Sequence, residues 1–459
     1  MMLRYFLSLL ILTCWSTGCS FRVLGIPAEE LFNDGFSVRQ DGGLDGPAPD
    51  SDLAIFGNSD ALMPAPDLPI DSGLGDVGGP TTDLTIETDL AGIDLSGLDL
   101  LVPPVDMAAL IVPSHVGTIY LLPGAAALGS VTEIDTLNLT LRINGGSAQL
   151  PPGGTSLLLD ATSGLAVLSV GAFTIEKNLN VIGNRGLVVV ASGGITISAL
   201  VTVNGRLALG GPGAFVGGNG AGGAGGQNCT NRESGGGGAG HLSDGAVGGS
   251  AQQLPFDCPA GGAAGKAYGP LLSDFLGGSI GGTGGRRTDD CSTSVGGAGG
   301  GAIQFSSSVS VTVTETGAIN AGGGGGAAGC DQPRKTAGGG GGSGGTIFLE
   351  APMITILGKL ASNGGGGGSG GGDSGGGLSG QDGQLSTTPA AGGMTNGGGS
   401  GPGGTGGAAV SIPQQPGAAR NAGGGGGAAG YIYLRTRITN ATLGGGSVVS
   451  PNPVVDLSL

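Results

Sequence analysis

Hydrophobic positions in this chain arrive as short runs that repeat. Leu187-Val188-Val189-Val190-Ala191 is followed by Ile195-Thr196-Ile197 and then by Val201-Thr202-Val203. The phrase returns as Ala302-Ile303-Gln304-Phe305, Val309-Ser310-Val311-Thr312-Val313 and Gly317-Ala318-Ile319-Asn320-Ala321-Gly322. It returns again as Thr346-Ile347-Phe348-Leu349-Glu350-Ala351, Ile354-Thr355-Ile356 and Gly358-Lys359-Leu360-Ala361, and Tyr431-Ile432-Tyr433-Leu434-Arg435 opens a truncated copy. Short β-branched segments with period-two alternation predict strands. A unit of two or three such strands cannot bury its apolar face alone, so like units should stack. The expectation is an all-β chain folded as a parallel β-helix, a solenoid lined by Ile303, Phe305, Ile347, Leu349, Ile432 and Leu434. The copies are unevenly spaced, so glycine-rich loop insertions at about 210–300, 322–345 and 364–430 should leave the solenoid. Such tracts have two physical outcomes: mobile coil, or close-packed polyproline-II-like strands in runs such as Gly338 to Gly342.

Composition sharpens this picture. Glycine supplies 108 of 459 residues, which excludes an ordinary mixed α/β enzyme. Glycine comes in runs rather than at every third position, which excludes a collagen triple helix. The formal charge of -16 is concentrated in residues 20–110, where 17 acidic side chains face only Arg22 and Arg39. The remaining body is nearly neutral, and without a concentrated basic surface nucleic acid is not an expected partner. The acidic segment is rich in Asp, Pro, Gly and Leu and holds neither helical nor strand periodicity, so it reads as a disordered, extended tether.

The N-terminus carries an address. Arg4, the apolar stretch Tyr5 to Trp15 and the small residues before Cys19 make an export signal. The apolar run is shorter than the roughly 20 residues a membrane-spanning helix needs. The expected organisation is a signal peptide at 1–18, a lipid anchor and acidic linker at 19–110, and a glycine-rich β-helical domain at 111–459. Four further cysteines, Cys229, Cys258, Cys291 and Cys330, would lie in an oxidising compartment and are candidates for two disulfides. Three connectivities are open, and the sequence-local one pairs Cys229 with Cys258 and Cys291 with Cys330. Their spacing relative to one another and to His115 and His241 fits no zinc site, and no cofactor motif survives inspection. Gly218, Gly220 and Gly223 have the dinucleotide spacing, and Gly341-Gly342-Ser343-Gly344-Gly345 has that of a nucleophile elbow. Both sit inside glycine tracts, without the strand and helix those motifs require.

Ser16-Thr17-Gly18-Cys19 resembles the lipobox of bacterial lipoproteins, with Ser16 where the pattern usually has Leu. That resemblance implies that Cys19 becomes residue one and carries a thioether diacylglycerol and an amide-linked acyl chain, a membrane attachment through lipid. Ser20 after the anchor, by the same resemblance, implies the outer membrane. Gly18-Cys19-Ser20-Phe21, the tether rich in Asp, Leu and Pro, Leu165 to Gly171, Gly183 to Gly193 and Gly300 to Phe305 together resemble glycine-rich surface lipoproteins of myxobacteria. This implies a cell-surface location and a β-helix-like body; the group brings no activity that transfers residue by residue. The expected function is therefore a non-catalytic, lipid-anchored surface role in structure, adhesion or contact with surface polysaccharide or matrix. The enzymatic alternative is a polysaccharide-active lyase or hydrolase using Asp289 and Asp290 with Arg286 and Arg287, the most compact charged cluster of the body. A third class is ice or mineral binding by a flat glycine-rich face.

Overall fold

A computed structural model describes residues 13–15, 18–20, 111–117, 120, 125–215, 218–226, 232–252, 260–269, 275–286, 294–330, 335–373, 375–437 and 441–459. The chain divides into two units, Met1–Leu95 and Ser96–Leu459. In the first unit the described elements are β1 (Thr13–Trp15) and β2 (Gly18–Ser20), an antiparallel pair with Cys14 opposite Cys19. The acidic segment expected as a tether lies outside the described residues beyond Ser20.

The second unit begins with β3 (Leu128–Gly129), β4 (Val131–Asp135), β5 (Thr140–Ile143) and β6 (Ser156–Leu159). Triplets follow: β7 (Ala166–Val170), β8 (Phe173–Ile175) and β9 (Leu179–Ile182), then β10 (Leu187–Ala191), β11 (Ile195–Ile197) and β12 (Leu200–Thr202). The next are β13 (Ala302–Ser307), β14 (Ser310–Val313) and β15 (Ala318–Asn320), and β16 (Thr346–Glu350), β17 (Met353–Ile356) and β18 (Lys359–Ala361). The last are β19 (Tyr431–Arg435), β20 (Ala441–Leu443) and β21 (Val448–Ser450), followed by β22 (Val454–Asp456). The members of each triplet go to three different sheets. The first sheet runs β6-β7-β10-β13-β16-β19-β22, the second β3-β8-β11-β14-β17-β20 and the third β5-β4-β9-β12-β15-β18-β21. Among the described strands of this unit the pairings are parallel except those of β4 with β5 and β6 with β7.

This corrects the expected fold. The strands make three mostly parallel sheets rather than a closed β-helical solenoid, and two antiparallel pairs end the stack. The glycine tracts, expected as loops outside a solenoid, are packed bodies of their own. The physical reason lies in the links from the third sheet back to the first. The described residues within 203–301, 321–345 and 362–430 leave the sheets and enter a shared array of glycine-rich segments instead of turning directly into the next strand.

The apolar core sits between the sheets. In the first sheet Leu168, Val189, Phe305, Leu349 and Leu434 stack in register, as do Ala166, Leu187, Ile303, Ile347 and Ile432. The second sheet adds Phe173, Ile195, Val311 and Ile354, and the third Leu179, Val201, Ile319 and Leu360, all within one buried cluster. Each buried aliphatic or aromatic side chain of this kind contributes about 1.5–3 kcal/mol.

The glycine array has its own order. Along residues 338–345 every third amide donates to the same neighbouring segment. Gly338, Gly341 and Gly344 donate to the carbonyls of Ala422, Gly425 and Ala428. Gly339, Gly342 and Gly345 donate to Ala327, Gly324 and Ala321, and Gly340 and Ser343 to Gly282 and Ser279. Three residues per turn, with no bond inside the segment, is the signature of a polyproline-II-like chain. Residues 364–371 behave alike, their amides distributed among segments near 401–407, 378–381 and 336–342. Of the two outcomes open to the sequence, these tracts take the close-packed one.

Candidate functional site

The outer face of the first sheet is covered by residues of 111–117 and by Tyr120. Val116 and Tyr120 pack on Val167, Val188, Val190 and Phe348, with Phe275 alongside. Beside this apolar patch lies a buried polar cluster. Ser306, Glu350 and Arg435 hold equivalent positions in β13, β16 and β19, because Ser306 faces Glu350 and Glu350 faces Arg435 in the parallel registers. Glu350 is fully buried. Its Oε1 accepts from Ser114 Oγ at 2.6 Å and from Arg435 at 2.9 Å. Its Oε2 accepts from Ser306 Oγ at 2.8 Å, the Ser114 amide at 3.1 Å and Gln304 Nε2 at 3.2 Å. Five donors, one of them a guanidinium, satisfy the hydrogen-bonding capacity of this carboxylate in a dry interior.

His115 completes the cluster. Its Nδ1 lies 2.5 Å from Gln304 Oε1, and its ring sits 4.8 Å from Phe275 and 5.0 Å from Phe348 between centroids. An amide oxygen can only accept, so Nδ1 is the donor there. Serine, histidine and glutamate thus meet, but not in a nucleophile arrangement. Ser114 Oγ gives its proton to Glu350, and the described Nδ1 contact of His115 is with Gln304. Catalysis by a serine needs the base on the serine oxygen. Arg435 lies between two carboxylates, Glu350 at 2.9 Å and Asp456 at 3.7 Å, and ties both to the same strand. The cluster is a clasp that fastens residues 114–115 to three strands. The sequence reading passed over it, although a serine, an acid and a base at one repeat position, in Phe305-Ser306, Leu349-Glu350 and Leu434-Arg435, were its signal.

A second buried histidine lies in the glycine array. His241 Nδ1 is 2.6 Å from the Gly344 carbonyl, and the ring stacks on Tyr268 at 4.5 Å and meets Tyr431 edge-on at 5.0 Å. Burial pushes its pKa down to about 4, against the opposing hydrogen bond to Gly344. The histidine is therefore neutral in the fold and protonated in the unfolded chain below its ordinary value of 6.5. A depressed pKa of this kind makes the unfolded state bind more protons, so stability is lost as pH falls from 6.5 toward 4. The expected loss is on the order of 3 kcal/mol across that window. Urea denaturation at pH 7 and at pH 4.5 should show it, with the slope flattened in His241→Phe.

The residues singled out from sequence are only partly brought into view. Arg286 is exposed at the end of an array segment, whereas Arg287, Asp289 and Asp290 lie outside the described residues. Cys330 is disulfide-bonded, and Cys229, Cys258 and Cys291 lie outside the described residues. Cys19 falls in β2, with its backbone opposite Cys14. A shallow cavity of about 460 Å³ opens at the edge of the array between Gln252, Asp373, Ser400 and Arg420. Asp373 is paired there with both Lys335 and Arg420. Among the described residues no three metal-ligating side chains converge, and no helix is long and apolar enough to cross a membrane. No family model, curated protein or solved structure matches the chain.

Proposed function

We propose that this is a non-catalytic, lipid-anchored surface protein whose stiff body serves adhesion or contact with polysaccharide matrix. In this reading Cys19 holds the outer membrane, residues 19–110 hold the body clear of the lipid, and the sheets with their glycine array form the contact body. The observation that supports it is the array itself. Long stretches of the chain are spent on backbone hydrogen-bonded to backbone in three directions, which gives rigidity and leaves few side chains for chemistry. The polar clusters lean the same way, since Glu350 and His241 are engaged in fixed structural bonds.

Two measurements test the proposal. Radiolabelled palmitate should enter the wild-type chain and not Cys19→Ala; equal labelling of both removes the anchor. The purified full chain should sediment with extracellular matrix and release no soluble oligosaccharide from it. Depolymerisation that disappears in Asp289→Asn or Asp290→Asn would replace this reading with a polysaccharide-active enzyme.

A further inference from the structure

The outward side of the second sheet carries a column of one residue type. Thr174, Thr196, Thr312, Thr355 and Thr442 are the middle residues of Phe173-Thr174-Ile175, Ile195-Thr196-Ile197, Val311-Thr312-Val313, Ile354-Thr355-Ile356 and Ala441-Thr442-Leu443. The parallel registers set each of them directly beside the next. With strands about 4.8 Å apart, the five rungs span about 19 Å. In the first four rungs both flanking residues are buried at 0–1% exposure, so each strand is pinned from beneath while its threonine faces outward.

We propose that this column is a binding face for an ordered lattice of water, the surface of ice. A threonine offers a hydroxyl that both donates and accepts, beside a methyl group that displaces mobile water. Its β-branched side chain is stiff at χ1, so the hydroxyls are already ordered before binding and little entropy is lost on contact. Repetition at the strand spacing suits a periodic partner rather than a single small molecule. The column is uncharged; Gly194, Ser310, Ser198 and Thr314 occupy adjoining outward positions, with Met353 and Leu357 the apolar members at the fourth rung and Glu176 the charged exception at the first. A neutral hydrogen-bonding solid complements such a face, whereas a mineral would call for carboxylates and a sugar ring for an aromatic platform. The expectation of a flat glycine face thus moves to a threonine face, and it stands independently of the anchor and matrix reading above.

The test uses the full chain. Wild type and Thr387→Lys, an exposed substitution outside the column, should shape ice crystals and show thermal hysteresis. The triple variant Thr196→Lys, Thr312→Lys, Thr355→Lys should lose both while melting at the wild-type temperature. Absence of hysteresis in the wild type overturns the proposal, as does its retention in the triple variant. Binding of the wild type to microcrystalline cellulose in place of ice also overturns it, and would assign the column to carbohydrate.

Discussion

Replacing Gly341 with alanine is expected to abolish the folded state. A Cβ at this position would lie 2.1 Å from the Gly365 carbonyl oxygen and 2.9 Å from the Gly427 nitrogen. Those two atoms are hydrogen-bonded to each other at 2.9 Å, so the methyl would enter a bond between two neighbouring segments. Overpacking in ordinary cores costs about 1–3 kcal/mol, because side chains can change rotamer. Here the neighbours are backbone and have no rotamer to change. Parting the segments would also strain the Gly341 bond to Gly425 at 2.8 Å and those of the adjoining residues. A cost above about 4 kcal/mol follows, comparable to the whole stability of many domains. The control is Gly445→Ala, where nothing lies within 4 Å, and there the change should stay within about 0.5 kcal/mol. Thermal and urea denaturation of the two variants decides the matter. A Gly341→Ala protein that melts like the wild type would mean that the segments are not packed backbone on backbone.

The strands were legible because side chains mark them. Ile303, Phe305, Ile347, Leu349, Ile432 and Leu434 alternate with residues of other kinds, and all six are buried at 0–1% exposure. Their apolar period of two states both the element and the buried face. The route of the chain between strands was not legible for the opposite reason. A glycine run has no side-chain pattern, so the threefold order of the Gly338 to Gly345 hydrogen bonds leaves no trace in residue type. Uneven spacing of the repeats suggested loops, whereas the same residues satisfy one another as an array. The clasp was hidden differently. Gln304, Glu350 and Arg435 look like solvent-facing members of alternating strands, and it is the covering residues Ser114, His115, Val116, Tyr120 and Phe275 that make that face an interior. The threonine column lay open in Ile-Thr-Ile and Val-Thr-Val, but its meaning required the register that aligns the rungs.

Arg435→Ala is expected to cost about 3–5 kcal/mol, the range found when one partner of a buried ion pair is removed. Glu350 would keep its bonds to Ser114, Ser306 and Gln304 but lose its counter-ion in a site with no exposure of its own. Ser114 Oγ would lose the Arg435 donor at 2.8 Å as well, which loosens the covering segment at the same moment. Glu350→Gln should cost less, since the neutral amide can stay buried without a cation. Combining Glu350→Gln with Arg435→Ala should recover a large part of the single Arg435→Ala loss, and that non-additivity is the signature of a charge left unpaired rather than of lost packing. Urea denaturation of the four proteins measures the coupling. Freed from Arg435 and Glu350, residues 114–116 would uncover Val167, Val188 and Phe348, so Arg435→Ala should also bind a hydrophobic dye under native conditions. If Arg435→Ala instead costs under about 1 kcal/mol, as an exposed surface pair would, the cluster is solvated and the segment is held by its apolar contacts alone.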